Sequence, residues 1–593
     1  MKNVKNLFGM AVMATALVGC SSNDNLNPNP NEGAGKAGEA YAKFTIQLPT
    51  VSGTRADDDP TPGTPSFEGG TANEYAVNDA QLLIFEKTPT SSSEGDYKFV
   101  ETVPIGNLEP WNNQNSQGVT RYADITAKLN NVALNDSGDK YYALFILNNE
   151  GQSKVTLPTT TPETTYSAWN IANHAKSAAD FLKSTNGFYM ANAPKYVADG
   201  EPTTLVPIKG VYSTKAEAQN KPATTVYVER GMAKVTIGSS TFDADKPVTT
   251  STNYDKDKVT ITNWTLDVLN KTTFPVHNTD GLETIWNQSW ASRFYDNAST
   301  STEFKRVYWG VDPNYKTLPS TPLTTVDECK SQFYLLDRDG STYNFDGTKG
   351  TSVTWADKTT PLYCLENTFD INNMKQGQTT RVVFKATYTP HNLTSTGVTT
   401  AADKTFFMIG NNPKIWTKAN LEQQIANKAK ELLNTTGTVT ATIGGDLLKG
   451  GSHLLTTDNV TIEEGSVKKN DDITFAALNT KLGLDNTDGI KTYENGECYY
   501  IARIKHFNEL TPWPSESGNR ETYGTDTNNS MFLGRYGVLR NNWYELTVSK
   551  VSAPGYPDVP EVKPTDPDDE DTKFINVEVK ILDWAKRSQS VEL

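Results

Sequence analysis

The chain has 593 residues, with 55 Lys plus Arg against 70 Asp plus Glu, and this net charge of −15 without any dense basic cluster argues against a polyanionic partner such as nucleic acid. Its 36 % hydrophobic content, with 41 Gly, 30 Pro, 26 Tyr, 22 Phe and 11 Trp, suits strands and turns rather than long helical bundles. No apolar run reaches the roughly 18 residues that a membrane-spanning helix needs.

At the amino terminus Lys2 and Lys5 precede an apolar stretch, residues 7–18, that ends in Leu17-Val18-Gly19-Cys20. A charged start, a short apolar run and a cysteine behind small residues form a bacterial lipoprotein signal, so residues 1–19 are expected to be a signal peptide and Cys20 the lipidated residue. Residues 21–40, rich in Ser, Asn, Pro, Glu, Gly and Ala, read as a flexible tether. The first strand follows over residues 41–48, with Phe44, Ile46 and Leu48 on one face and Lys43, Thr45 and Gln47 on the other. Residues 54–65 (TRADDDPTPGTP) then resist both helix and sheet and read as a solvated linker that exposes Arg55 and Ala56.

Alternation of period two dominates the middle of the chain. Strands are expected over 81–85, 98–103, 141–147, 225–228, 233–237, 258–262, 264–269, 381–388, 497–504 and 543–548, separated by Gly, Asn, Asp and Pro clusters. Two stretches read as helical insertions packed on the surface. One is 167–183; in the other Leu421, Ile425, Ala429 and Leu432 share a face between Asn420 and Gly437. The three cysteines beyond the signal, Cys329, Cys364 and Cys498, lie 35 and 134 residues apart, which fits neither a disulfide framework nor a thiolate metal site. The five histidines are scattered, and no phosphate-binding glycine loop or serine-nucleophile motif occurs. No catalytic residue, metal site or cofactor is therefore assigned, and the chain reads as a non-enzyme.

Near the carboxyl terminus residues 553–571 (APGYPDVPEVKPTDPDDED) form an acidic, Pro-rich segment that is expected to stay extended in water. It isolates a last strand in which Ile575, Val577, Val579 and Ile581 share one face, with Trp584 on the opposite phase, so a bend near Asp583 is expected if that ring is also buried. A lone strand cannot satisfy its own backbone, so the first and the last strand must each add to a sheet, in their own molecule or in a neighbour.

Several segments resemble recurring patterns of the Bacteroidales fimbrillins, most closely the shaft subunit of short (minor) fimbriae. They are YYALFILNN at 141–149, VYVERGMAKVTI at 226–237, WTLDVLNKTTFPV at 264–276, YWGVDPNY at 308–315, YCLENTF at 363–369 and TTRVVFKATY at 379–388. The most specific is GRYGVLRNNWYELTVSKVSAPGYP at 534–557, followed by the acidic segment and a strand with Asp583-Trp584. The resemblance implies an all-β chain of two tandem transthyretin-like β-sandwiches with small helical insertions, the first over 56–240 and the second over 241–552, with long insertions around 395–495. It also implies a structural role. A lipidated precursor (propeptide 20–55) reaches the outer membrane, and LPTVSGTRADD at 48–58 is similar to the site where a trypsin-like protease trims such precursors after Arg55. The displaced strand would carry Phe44, Ile46 and Leu48, and the donor strand, within 572–593, Ile575, Val577, Val579, Ile581 and Trp584. Further copies of the chain, fimbrial anchor and tip subunits and the protease are the implied partners, the lipid anchors the precursor, and a cell-surface fimbrium supporting adhesion is the end point. The competing reading is a fimbrial tip adhesin or a glycan-binding surface lipoprotein. Loss of residues 1–55 leaves 50 basic against 67 acidic groups, a net charge of −17, which keeps free subunits apart.

Overall fold

A computed structural model describes residues 39–48, 71–568 and 574–583, apart from breaks of which 283–305, 392–403 and 507–532 are the longest. The fold is all-β. In the first sandwich β1 (Ala40–Gln47), β2 (Ala80–Glu86), β3 (Lys98–Pro104), β4 (Thr120–Leu129), β5 (Tyr141–Leu147), β6 (Met190–Asn192) and β7 (Thr224–Arg230) follow one another in the order β3-β2-β5-β6-β7-β1-β4. The sheet folds over on itself at β7, which pairs with β6 through Val228–Arg230 and with β1 through Thr224–Tyr227. Between the two halves lies a core in which Ala42, Phe44, Ile46 and Ile125 meet Leu82, Ile84, Ala143 and Phe145. On the outer face of the β2–β5 half, Leu83, Phe85, Leu144 and Ile146 pack with Tyr166 and Trp169 of a short helix, Tyr166–Ala172. Within the stretch expected to be helical, 167–183, the described residues are helical over Tyr166–Ala172 and Ala178–Phe181, and the aromatic residues of the first piece are core rather than surface.

The chain passes into the second sandwich at Gly231, where a Cβ would come within 2.6 Å of the Phe181 ring, so only glycine fits between β7 and the next strand. The second sandwich consists of β8 (Met232–Ile237), β9 (Lys258–Asp267), β10 (Leu362–Leu365), β11 (Arg381–Thr389), β12 (Glu497–Arg503), β13 (Asn542–Val551) and β14 (Ile575–Asp583). One sheet has the order β10-β8-β13-β14, the other runs β9-β11-β12, and Val235, Tyr544, Leu546 and Val548 face Ile261, Trp264, Phe384 and Tyr500 across the core. The strands expected separately over 258–262 and 264–269 are mostly one strand, β9, interrupted by an irregularity between Ile261 and Asn263.

Between β11 and β12 the insertion folds into a small unit with its own core. Helix Lys418–Leu433 starts at Thr417, whose hydroxyl accepts from Asn420 N, and ends at Asn434 in the left-handed region. It buries Leu421, Ile425, Ala426 and Ala429 against Ala441, Ile443 and Ile462 of adjacent strands. Phe406 and Tyr493, stacked at 4.4 Å, and Met408 carry this unit into the core of the second sandwich.

Candidate functional site: the first and last strands

β1 is an interior strand. It pairs antiparallel with β4 along all its residues, from Ala40 opposite Leu129 to Gln47 opposite Tyr122. On its other side Phe44–Gln47 pair in parallel with Thr224–Tyr227, and Tyr41 exchanges backbone hydrogen bonds with Tyr212 at 2.8 and 2.9 Å. Side chains of a strand alternate between faces, and here Ala40, Ala42, Phe44 and Ile46 all point into the core at no more than 2 % exposure. The Phe44 ring meets Phe145 edge-on, with centroids 5.3 Å apart. Leu48, past the last paired residue, is only partly buried. The sequence pattern thus identified Phe44 and Ile46 but missed Ala40 and Ala42, because alanine carries too little apolar surface to stand out. On the outer face Thr45 donates to Asp124 at 2.6 Å, Lys43 to the carbonyl of Gln219 at 3.2 Å, and Lys128 reaches Glu39 at 2.7 Å.

Taking β1 away would leave a slot one strand wide, walled by β4 and β7 and floored by Leu82, Ile84, Ala143 and Phe145. Residues 49–70, which carry Arg55 and Ala56, and Cys20 lie outside the described residues. The chain beyond residue 70 is anchored independently of β1. The Glu74 carboxylate, 1 % exposed, accepts from Lys234 Nζ on β8 at 2.7 Å and from Tyr363 Oη on β10 at 2.6 Å, and Lys234 also lies 3.8 Å from the centre of the Trp543 ring. Burial pushes the Glu74 carboxyl up, but these two partners prevail and hold it below the ordinary value. Nearby Arg230 donates to the carbonyl of Glu74 at 2.7 Å and to Asn541 Oδ1 at 3.2 Å, and His277 and Arg306 flank the buried Glu229. These contacts join the first sandwich to the second.

Among the described residues β14 is an edge strand. It pairs antiparallel with β13, from Val551 opposite Ile575 to Asn542 opposite Asp583, with an irregularity between Val548 and Lys550. Ile575 and Val577 are each 7 % exposed in the second core, and Val579 and Ile581 have the same backbone phase. The pairing continues in register to Asp583, and Trp584 lies outside the described residues. In this structure the strand therefore returns to its own molecule.

The segment expected to be a solvated linker is instead packed across the outer face of the β9-β11-β12 sheet. Tyr556 exchanges backbone hydrogen bonds with Tyr499 at 2.7 and 2.8 Å, and Val559 packs with Leu336, Val383 and Tyr499. Val562 fills a pocket with Val268, Cys329, Phe333 and Leu335. Arg381, 1 % exposed, bridges the Asp267 carboxylate at 2.8 Å and the carbonyl of Pro560, while the fully buried Asp568 accepts from Thr379 at 3.3 Å. Two apolar side chains and nonlocal polar partners outweigh the local preference of a Pro- and acid-rich segment for water.

Cys329, Cys364 and Cys498 are free and buried, and burial pushes each thiol up to about 12. Among the described residues no group of three or more His, Cys, Asp or Glu is placed to hold a metal ion.

Residues 491–590 match the family model described as major fimbrial subunit protein type IV, fimbrillin, C-terminal. This stretch takes in β12, β13, the packed segment and β14. No curated protein matches. Two solved structures titled "putative cell adhesion protein" align over most of the chain: one from Parabacteroides distasonis, 10 % identical, over 92 % of this chain and 98 % of that one with a TM-score of 0.37, and one from Bacteroides eggerthii, 11 % identical, over 93 % and 97 % with a TM-score of 0.31. A fimbrial assembly protein from Parabacteroides distasonis aligns over 60 % of this chain and 97 % of its own at 10 % identity and a TM-score of 0.25.

Proposed function

We propose that the protein is a structural subunit of a surface fimbrium, exported as a lipoprotein precursor on Cys20, cut after Arg55, and polymerised when the last strand of one copy fills the slot vacated by the first strand of the next. The observation that carries this reading is the unequal placement of the two strands. β1 is an interior strand whose covalent link to the rest of its sandwich runs through residues 49–70, so one cut in that stretch severs it from the chain that follows. β14 occupies an edge. The match of residues 491–590 to a fimbrial subunit model supports the same assignment.

The energetics give the exchange a direction. Burying four aliphatic side chains in the slot contributes about 6–12 kcal/mol gross, before the cost of ordering the strand, and Ile575 and Val577, already buried at home, give up about half of that on leaving. Among the described residues β14 has one hydrogen-bonded neighbour at home, whereas the slot offers two, β4 and β7. Each additional ladder bond contributes roughly 1 kcal/mol net. Before cutting, β1 competes as part of the same chain at a very high effective concentration; cutting removes that advantage irreversibly. A contact of this kind is head-to-tail and does not close on itself, so repetition yields a filament and each copy serves as a shaft unit.

Electron microscopy with amino-terminal sequencing of purified fibres tests this reading. Subunits are expected to begin at Ala56, and Arg55→Ala is expected to accumulate unpolymerised precursor. Fibres whose subunits retain residues 40–47 would refute it.

A further inference from the structure

Resting on the exchange just described, we propose that the incoming strand enters the slot in the direction of β1 and in a single register, which sets Lys580 of the donor opposite Asp124 of the accepting copy. The two walls of the slot are not equivalent. β4 pairs with the resident strand over its whole length and antiparallel, whereas β7 pairs in parallel over four residues only. An entering strand that runs as β1 does keeps the long pairing antiparallel, the slightly more stable arrangement per residue. Running the other way with its apolar residues in the same positions, it would bring Lys580 opposite Lys128 and oppose like charges.

Within the favoured direction, alternation allows only shifts by two, since a shift by one turns every side chain to the other face. The in-phase register puts Ile575, Val577, Val579 and Ile581 where Ala40, Ala42, Phe44 and Ile46 stand, all of them buried. A shift by two in one sense carries Asp583 to the position of Ile46, which is 0 % exposed, and so buries an unpaired carboxylate. The opposite shift carries Lys573 to the buried position of Ala40 and sets Glu578 against Asp124. The in-phase register has its own defect, because Val579 underfills the space of Phe44 beside Phe145. A small void there costs less than a buried unpaired charge.

The outer face agrees with this choice. Asn576, Glu578, Lys580 and Leu582 take the positions of Tyr41, Lys43, Thr45 and Gln47, and the position of Thr45 is the one opposite Asp124. Loss of β1 deprives Asp124 of the Thr45 hydroxyl, and Lys580 arrives opposite it with the complementary charge. In its own sheet Lys580 stands opposite Glu545, so the donor keeps an acidic neighbour in both states.

Cysteine pairing reads the register directly. Residues directly opposite on paired strands are close enough for a disulfide, and the three natural thiols are buried, which keeps the background low. Asp124→Cys is combined in one chain with Asn576→Cys, Glu578→Cys, Lys580→Cys or Leu582→Cys, and assembled fibres are run on non-reducing denaturing gels. The proposal expects a covalent ladder with Lys580→Cys. Ladders with Glu578→Cys or Leu582→Cys instead would establish a shifted register, and with Asn576→Cys a reversed strand; either overturns the proposal while leaving exchange intact. Well-formed fibres with no ladder in any pair would remove the last strand from this slot and overturn the functional reading as well. Charge reversal is the second measurement, and it needs no disulfide. Asp124→Lys and Lys580→Asp singly should slow assembly about three- to tenfold at low salt, the scale of a cross-strand ion pair, and the double variant should recover it; no recovery refutes the pairing.

Discussion

Phe44→Ala separates the precursor from the assembled subunit more cleanly than any other substitution in β1. The ring is 0 % exposed and sits edge-on to Phe145 at 5.3 Å, so its removal leaves a cavity between the two halves of the first sandwich. Truncating a buried Phe costs about 3–5 kcal/mol. For a unit of this size each kcal/mol lowers the melting temperature by roughly 2–4 °C, so the precursor's first transition should fall by about 10 °C. The same loss makes β1 easier to displace by about 100-fold or more, since 1.4 kcal/mol is tenfold, so the cut precursor should release residues 40–47 faster than wild type does. The assembled fibre no longer contains residue 44, so its stability should be unchanged. Urea titration of the precursor, followed by heating the fibres in detergent, reads both quantities. Fibres of the variant that fall apart at a lower temperature than wild type would show that Phe44 remains inside the subunit, and the reasoning would fail.

Cys20→Ala should abolish incorporation of radiolabelled palmitate; equal labelling would remove the lipoprotein assignment. Truncation before Lys573 removes the burial of Ile575 and Val577 from an edge position, a gross loss of about 3–6 kcal/mol. The second sandwich should still fold, and the cut subunit should stay monomeric in size-exclusion chromatography; detergent-resistant ladders from this variant would refute donation by the last strand. Glu74→Gln breaks a buried pair with Lys234 and should cost about 3–5 kcal/mol near neutral pH. Because the folded carboxyl of Glu74 is held below its ordinary value, the stability it contributes is present above the unfolded value of about 4.3 and is lost as pH falls through the folded one. Wild-type thermal stability should therefore drop on acidification below that range, with a shallower drop in Glu74→Gln, as followed by circular dichroism; parallel curves would show that the pair contributes nothing.

What could be read in the sequence depended on how local its cause was. β1 and β13 alternate apolar residues with polar ones, whereas β5 is an unbroken apolar run, and both patterns are set by the residues themselves. β4 escaped notice because its inward set, Ala123, Ile125, Ala127 and Leu129, is half alanine and is interleaved with Asp124 and Lys128. The helix Lys418–Leu433 was legible from one apolar stripe, but the strands around it were not, because short pieces such as Val439–Ile443 become stable only against that helix. Residues 553–568 were misread for a similar reason. Their prolines and acids argue for water, and nothing near them reveals that Val559 and Val562 have pockets or that Arg381 waits for the carbonyl of Pro560. In the candidate site the apolar faces of both strands were legible, whereas their interior and edge placements depend on partners at least 75 residues away for β1 and more than 20 for β14.

Whether the slot between β4 and β7 changes its occupant is decided by a cryo-electron microscopy map of the assembled fibre at side-chain resolution. The slot should hold residues 575–583 of the neighbouring copy, continuous with that copy's packed segment, and no density for Phe44 against Phe145. A slot still filled by the subunit's own Ala40–Gln47, with β14 paired to its own β13, would contradict strand exchange outright.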